Sequence, residues 1–315
     1  MSDKSSQFIG HLTAFATYAI FGFNIIFCKG IAADGNIPPI ALTTFRSLGA
    51  ALLLWALSLF TPKEKVERQD FLKILFASFM GLFVPQLTFL SACLYTTTID
   101  TSILSSLTPI MTMFVAAIFL KEPITWKKAG GVALSFAGVV FLILNSASTS
   151  NGVDHTRPAG VLLLILNTFS FAMYLGIFRP LVSKYSVVTF MKWAFLMVFF
   201  MTLPLSANSI MQINYGAIPT TVWLEIGYLI FFATFLAYFL LPMAQKRIRP
   251  TLISLYGYLQ PIIATVVSIC IGTDVMSWQK GAAVLFVCTG VWVVNRSRAA
   301  NTATAPAAQQ SESKR

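Results

Sequence analysis

The stretch Thr101–Asn145 reads TSILSSLTPIMTMFVAAIFLKEPITWKKAGGVALSFAGVVFLILN, and a related stretch begins 152 residues later, at Ile253. Each copy has an apolar segment with a central proline, a polar turn with an acid, and a second apolar segment that begins at Trp-x-Lys. The aligned pairs are Ser102 with Ser254, Leu107 with Leu259, Pro109 with Pro261, Trp126 with Trp278, Lys128 with Lys280 and Gly138 with Gly290. A match without gaps over this length indicates an internal duplication.

The composition is that of a membrane protein. Only 10% of the residues are charged and 57% are hydrophobic, whereas soluble domains carry about a quarter charged residues. The apolar runs are continuous and long enough to cross a hydrocarbon core of about 30 Å. The net charge of +11 then marks cytoplasmic loops, and we expect no nucleic-acid partner. The sequence predicts an all-α polytopic membrane protein.

Ten apolar segments separated by short loops predict ten transmembrane helices. They are His11–Ile31, Pro39–Phe60, Phe71–Tyr95, Thr101–Leu120, Trp126–Leu144, Ala159–Phe178, Val187–Leu205, Val222–Met243, Thr251–Ile271 and Gln279–Asn295. We assign residues 8–145 and 158–296 to two five-helix repeats. Residues 299–315 are rich in Ala, Ser, Thr and Gln, so we expect a disordered cytoplasmic tail there.

The basic residues predict the orientation. With the amino terminus in the cytoplasm, 18 of the 22 Lys and Arg residues lie at the inner side and 4 lie outside. Both termini are then cytoplasmic. Because each repeat has an odd number of helices, the two copies insert upside down relative to each other. Inverted repeats are typical of secondary transporters, which open a site near the middle of the membrane to each side in turn. The alternative is that the duplication only built a stable bundle.

Cations recur at the ends of the first helices of both halves. Lys29 aligns with Arg179 and, with one small gap, Arg46 aligns with Lys192. One pair is expected at the outer mouth and the other at the inner mouth, where they act as gates or contact a substrate carboxylate. The alternative is that they mark topology and snorkel to the interface.

Polar side chains within the predicted helices are candidates for a binding cavity, because such groups are costly in lipid unless they face a cavity or a partner. The candidate substrate-binding residues are Asn24, Gln86, Asn167, Tyr174, Tyr238, Tyr256 and Gln260. The alternative is that they join helices by hydrogen bonds. For Ser105, Thr108 and Thr112 we favour bonds to their own helix, because Pro109 leaves a carbonyl without its usual donor. Pro109 and Pro261 are predicted to kink equivalent helices.

These features resemble the EamA family of the drug/metabolite transporter superfamily. The motifs are Leu104-Ser105-Ser106-Leu107-Thr108-Pro109, the turn Phe119-Leu120-Lys121-Glu122-Pro123-Ile124-Thr125-Trp126, the helix start Ala129-Gly130-Gly131-Val132-Ala133-Leu134, and Arg46 within Phe45-Arg46-Ser47. The second half departs from the family's turn with Gly272-Thr273-Asp274-Val275, but it keeps an acid. The resemblance implies ten helices and the export of metabolites, such as amino acids, across a bacterial inner membrane.

The predicted function is a secondary transporter of a small neutral or zwitterionic metabolite. No acid or cation falls at the centre of a predicted helix, which disfavours a buried proton-coupling carboxylate and a dianionic substrate. An intramembrane enzyme is disfavoured, because the two histidines, His11 and His155, lie at a helix end and in a loop. We expect no metal or cofactor, a small-molecule substrate and lipid as partners, and leave a homodimer open. The alternative function is a sensor or assembly scaffold without transport.

Overall fold

The computed structural model describes residues 3–119, 156–248 and 256–272, with Ile253 and isolated residues between 126 and 141 and between 278 and 293. These residues form helices and no strand. In chain order the helices are α1 (Asp3–Asp34), α2 (Pro39–Ser58), α3 (Arg68–Ala92), α4 (Thr98–Ser105), α5 (Thr108–Phe119), α6 (Pro158–Ile177), α7 (Arg179–Lys184), α8 (Val187–Met211), α9 (Thr220–Gln245) and α10 (Leu259–Cys270). Single 3-10 turns at Tyr215–Ala217 and Tyr256–Tyr258 precede α9 and α10.

Six helices among the described residues are long and apolar enough to cross a bilayer: α1, α2, α3, α6, α8 and α9. They coincide with the first three predicted segments and with the sixth, seventh and eighth, so these six predictions are confirmed. The fifth and tenth predicted segments, Trp126–Leu144 and Gln279–Asn295, lie mostly outside the described residues, as does the predicted tail. The isolated residues that are described there are helical.

The fourth predicted segment is not one continuous helix. The chain leaves α4 at Ser105 and begins α5 at Thr108, so Pro109 is the second residue of a new helix. The reason is chemical: proline has no N–H to donate to the carbonyl four residues earlier. That carbonyl, on Ser105, instead accepts a 2.8 Å bond from Thr108 Oγ1. Pro261 follows a comparable change of helix type, because the 3-10 turn Tyr256–Tyr258 runs directly into α10.

Two long helices contain π-helical segments at corresponding positions. The segment in α3 is Phe79–Phe83 and the segment in α9 is Leu229–Leu236. A shift of 152 residues places the first segment inside the second. A π-helical turn inserts an extra residue into the hydrogen-bonding ladder, and such turns are frequent at functional sites.

The helix contacts obey an exchange of the two halves. With α1 matched to α6, α2 to α8 and α3 to α9, the contact of α3 with α6 has its counterpart in the contact of α9 with α1. Likewise, the contact of α5 with α6 has its counterpart in the contact of α10 with α1. The contact of α2 with α8 matches itself. The two halves therefore interlock around a shared centre.

Two glycines permit close helix crossings at opposite ends of the bundle. A Cβ on Gly10 would lie 2.9 Å from Arg247 Cβ, and a Cβ on Gly160 would lie 2.9 Å from Tyr95 Cβ and 2.5 Å from Thr96 Cγ2. Arg247 corresponds to Tyr95 under the 152-residue shift, so these are equivalent crossings. We call the two ends the Asp70 end, where α1 and α3 begin and α9 finishes, and the Asp100 end, where α3 finishes and α4 begins.

Gly160→Ala is expected to lower the free energy of unfolding by about 1–3 kcal/mol, the usual cost of overpacking. The control is Gly227→Ala, because a Cβ there meets nothing within 4 Å. Thermal unfolding in detergent measures the stability of both variants. A Gly160→Ala protein as stable as Gly227→Ala would contradict a tight crossing at this glycine.

Candidate functional site

A cavity lies at the centre of the bundle, where helices of both halves meet. The lining side chains are mostly aromatic or polar. They are Tyr18, Phe21, Asn24, Arg46, Pro85, Gln86, Phe89, Ser105, Thr108, Asn167, Phe171, Tyr238 and Gln260. The aromatic rings form apolar walls, and the amides and Arg46 place hydrogen-bonding groups between them.

Five of the seven side chains that the sequence nominated for binding line this cavity. They are Asn24, Gln86, Asn167, Tyr238 and Gln260. They come from five separate helices, α1, α3, α6, α9 and α10.

Tyr174 and Tyr256, which were also nominated, do not line the cavity. Tyr174 is fully buried, and its ring packs so closely on Gly81 that a Cβ there would lie 2.4 Å away. Its hydroxyl lies 3.5 Å from Gln245 Oε1. Tyr256 lies instead against α1, with its hydroxyl 2.9 Å from His11 Nδ1.

Arg46 lies in the cavity and not at a mouth, which differs from the expectation that no cation reaches the middle of the bundle. Its side chain is 3% exposed. Its Nε donates a 2.8 Å hydrogen bond to Thr234 Oγ1, and its Nη1 lies 3.9 Å from Cys28 Sγ. Since no carboxylate is among the described lining residues, Arg46 gives the cavity a net positive charge.

The other three cations assigned to mouths lie outside the cavity. Lys29 Nζ donates to Cys93 O at 3.2 Å, and Arg179 Nε donates to Gln245 O at 3.2 Å. These carbonyls end α3 and α9 and are 152 residues apart, so the matched cations bind matched helix ends. Carbonyls at helix carboxyl ends have no partner within the helix and favour cations. Lys192 differs, because its Nζ lies 4.8 Å from the Trp55 ring centre.

Two polar side chains of the cavity have no protein partner among the described residues. Neither Nε2 nor Oε1 of Gln86 is within hydrogen-bond distance of a partner, and the same is true of the Tyr18 hydroxyl. Gln86 is 3% exposed and Tyr18 is 1% exposed. Buried polar atoms without a partner are rare in folded proteins and need an explanation. Both groups line the cavity, where a bound polar molecule would supply the partners.

The hydroxyls of the fourth predicted segment donate hydrogen bonds to backbone carbonyls of the same segment, as the sequence interpretation favoured. Ser105 Oγ donates to Thr101 O, Thr108 Oγ1 to Ser105 O, and Thr112 Oγ1 to Thr108 O, each at 2.8 Å. Ser105 and Thr108 also line the cavity. They therefore present oxygen lone pairs to it and act as acceptors.

A cluster of charged side chains joins the two halves at the Asp70 end. Asp70 accepts hydrogen bonds from Lys184 Nζ and Tyr185 Oη, each at 2.6 Å, and from Lys73 Nζ at 2.8 Å. Lys184 also pairs with Glu67 at 2.8 Å. The hydrogen bond to Asp70, followed by that to Glu67, raises the pKa of Lys184 above its ordinary value. Asp70 belongs to the first half and Lys184 to the second, so this ion pair ties the halves together.

The matching place at the Asp100 end has a different chemistry. A shift of 152 residues aligns Asp70 with Val222, and the shift of 150 residues that aligns Gly10 with Gly160 aligns Asp34 with Lys184. Because valine has no charge, Val222 and Asp34 cannot form an ion pair. Val222 is buried in an apolar cluster with Ile31 and Ile37. Asp34 accepts a 2.9 Å hydrogen bond from the nearby Asn36 amide. Within the described residues, the Asp70–Lys184 pair therefore has no counterpart at the Asp100 end.

Sequence reasoning found Tyr238 but missed the other aromatic side chains of the lining and the Asp70 cluster. Tyr18, Phe21 and Asn24 are spaced three residues apart on one helix face, and this spacing could have identified the first two. Asp70 immediately precedes the predicted third segment and lies outside its apolar pattern. Nothing in the sequence pairs it with Lys184, which lies 114 residues further on.

The sequence matches the EamA-like transporter family over residues 8–144 and 158–296. It is 23% identical to the uncharacterized transporter YyaM of Bacillus subtilis, covering 80% of this chain and 83% of the relative. It is 25% identical to an S-adenosylmethionine uptake transporter of Rickettsia bellii, covering 52% of each chain. A solved crystal structure aligns with a TM-score of 0.61 and 16% identity, covering 92% of this chain and 96% of that one, which supports the fold.

Gln86→Leu is expected to leave the stability unchanged or raise it, because the change removes a buried amide without a protein partner. The matched variant is Asn167→Leu, whose amide donates a 2.7 Å hydrogen bond to Pro85 O. Losing that bond is expected to cost about 1 kcal/mol. Thermal unfolding in detergent compares the two. Equal losses of stability would show that the Gln86 amide is structural.

Proposed function

The chain belongs to the EamA-like transporter family, and from this premise we propose that it carries a small zwitterionic, amino-acid-like metabolite across the bacterial inner membrane by alternating access. The observation that carries the proposal is the central cavity, in which one buried guanidinium and unpartnered polar groups face aromatic walls. Such a cavity, shared by two related halves, is where transporters built from inverted repeats bind their substrates.

The substrate class is inferred from the charges. Arg46 is a guanidinium, which binds carboxylates in a bidentate manner. A single cation without a lining acid matches one carboxylate better than a dianion. The amine of a zwitterion is accommodated by the amide oxygens and by the faces of the aromatic rings, which attract cations. Arg46 therefore favours a zwitterionic substrate over a neutral one.

The membrane arrangement we propose has ten helices in two inverted repeats with both termini in the cytoplasm. The exchange of helix contacts between the halves, the paired π-helical segments and the distribution of Lys and Arg support it. The Asp70 end then faces the cytoplasm. Export is the direction that the family resemblance implies, and one relative is named as an uptake transporter, so flux has to be measured both ways.

Gating in this proposal depends on the Asp70–Lys184 pair. Alternating access requires the halves to separate at one end while they close at the other. The ion pair holds the Asp70 end closed, and apolar contacts around Val222 close the other end. Opening to the cytoplasm then requires the ion pair to break, so the pair favours the state that is closed at the Asp70 end.

Arg46→Gln is expected to raise the KM for the substrate by about 10–100-fold, because hydrogen bonds to charged groups contribute about 1.5–3 kcal/mol. Purified protein in liposomes is tested with labelled amino acids and monocarboxylates, inward and outward. The control is Lys192→Gln, which removes a cation outside the cavity and should keep the wild-type KM. A wild-type protein without flux across the panel would refute the function, and an unchanged KM in Arg46→Gln would refute the role of Arg46.

Asp70→Asn is expected to increase the population that is open at the Asp70 end. Spin labels at the exposed positions Lys65 and Ser183, in a background without cysteines, report this opening as a longer distance. Identical distributions in the wild type and Asp70→Asn would show that the ion pair has no gating role.

A further inference from the structure

Thr234 has an unusual hydrogen bond inside the π-helical segment of α9. Its side chain is fully buried, and Oγ1 donates to Leu229 O, five residues earlier, at 2.7 Å. Helical threonines elsewhere in this chain, such as Thr17 and Thr112, donate to the carbonyl four residues earlier. The π-helical geometry therefore determines where the Thr234 proton goes.

The direction of that proton makes Thr234 an acceptor toward the cavity. Because the O–H points to Leu229 O, an oxygen lone pair remains for Arg46 Nε, which lies 2.8 Å away. The neutral hydroxyl of Thr234 binds the Arg46 guanidinium and leaves its positive charge uncompensated. Nε is bound to Thr234, and Nη1 has only the weak acceptor Cys28 Sγ at 3.9 Å, so the remaining N–H groups of the guanidinium are left to bind a ligand. No acceptor for Nη2 is found among the described residues.

The corresponding positions in the other half do not repeat this pair. The 152-residue shift relates Thr234 to Leu82, which has no hydroxyl, and Arg46 aligns with Lys192, which lies over Trp55. The pair is therefore not a consequence of the duplicated scaffold. The Thr234–Arg46 pair occurs in the half whose charged side chain, Arg46, lines the cavity.

We infer that Thr234 is a positioning residue: its hydroxyl orients the Arg46 guanidinium for a carboxylate and links this cation to the π-helical segment of α9. This inference rests on the proposed function, since it assigns to Arg46 the substrate's carboxylate. It predicts that substrate affinity depends on the hydroxyl of Thr234 although Thr234 does not line the cavity.

The test compares Thr234→Val, which removes the hydroxyl at nearly constant volume, with Thr234→Ser, which keeps it. The control is Thr202→Val, because Thr202 is equally buried and donates to Phe199 O at 3.1 Å without contacting a cation. In liposomes, Thr234→Val is expected to raise the KM about tenfold and to change the maximal rate by less than about twofold. Thr234→Ser and Thr202→Val should stay within about twofold of the wild type.

A readout that needs no substrate separates this inference from the proposed function. The ¹⁵Nε resonance of Arg46, assigned by its loss in Arg46→Lys, is expected to show slow proton exchange in the wild type and in Thr234→Ser. In Thr234→Val the exchange should be fast. Fast exchange in the wild type, a wild-type KM in Thr234→Val, or an equal rise of KM in Thr202→Val or Thr234→Ser would overturn the inference. A wild type with slow exchange but no flux would instead refute the proposed function alone.

Discussion

Backbone groups inside a bilayer have to find hydrogen-bond partners within the protein, because lipid offers none. This constraint explains where the polar side chains of this chain lie. Where Pro109 withholds an N–H, Thr108 bonds the carbonyl of Ser105. Where α3 turns π-helical, Ser170 of α6 donates to Met80 O at 2.7 Å. These two departures from regular α-helix are thus matched by nearby side-chain donors.

The same departures surround the cavity. The interruption between α4 and α5 places Ser105 and Thr108 at its wall, and the 3-10 turn before α10 precedes Gln260. Regular helices packed ridge into groove would fill this space with side chains. Irregular backbone is tolerated in a membrane where it lines a cavity or is buried in protein. The breaks in the helices therefore help to form the central cavity.

The sequence was sufficient for the features that depend on local pattern. Apolar length predicted ten spans, of which six are confirmed among the described residues. Polar residues in apolar segments identified Asn24, Gln86, Asn167, Tyr238 and Gln260, which line the cavity. It failed where the outcome depends on depth in the bundle. Tyr174 lies on the same face of α6 as Asn167 but two turns further along, about 10 Å, and its ring packs on Gly81 there. Arg46 was placed at a mouth from its position near the start of α2, yet its long side chain reaches the centre.

The ion pairs of Lys184 with Asp70 and Glu67 join the halves at the Asp70 end, so in the proposed arrangement the two faces of the membrane are unequal for this protein. Lys184 is 42% exposed, so dissolved ions reach it, and a surface ion pair contributes less stability at high salt. The apolar contacts around Val222 have no such sensitivity. In the proposed mechanism, raising the ionic strength of the compartment that bathes the Asp70 end weakens these ion pairs, whereas salt on the opposite face does not act on the apolar cluster around Val222.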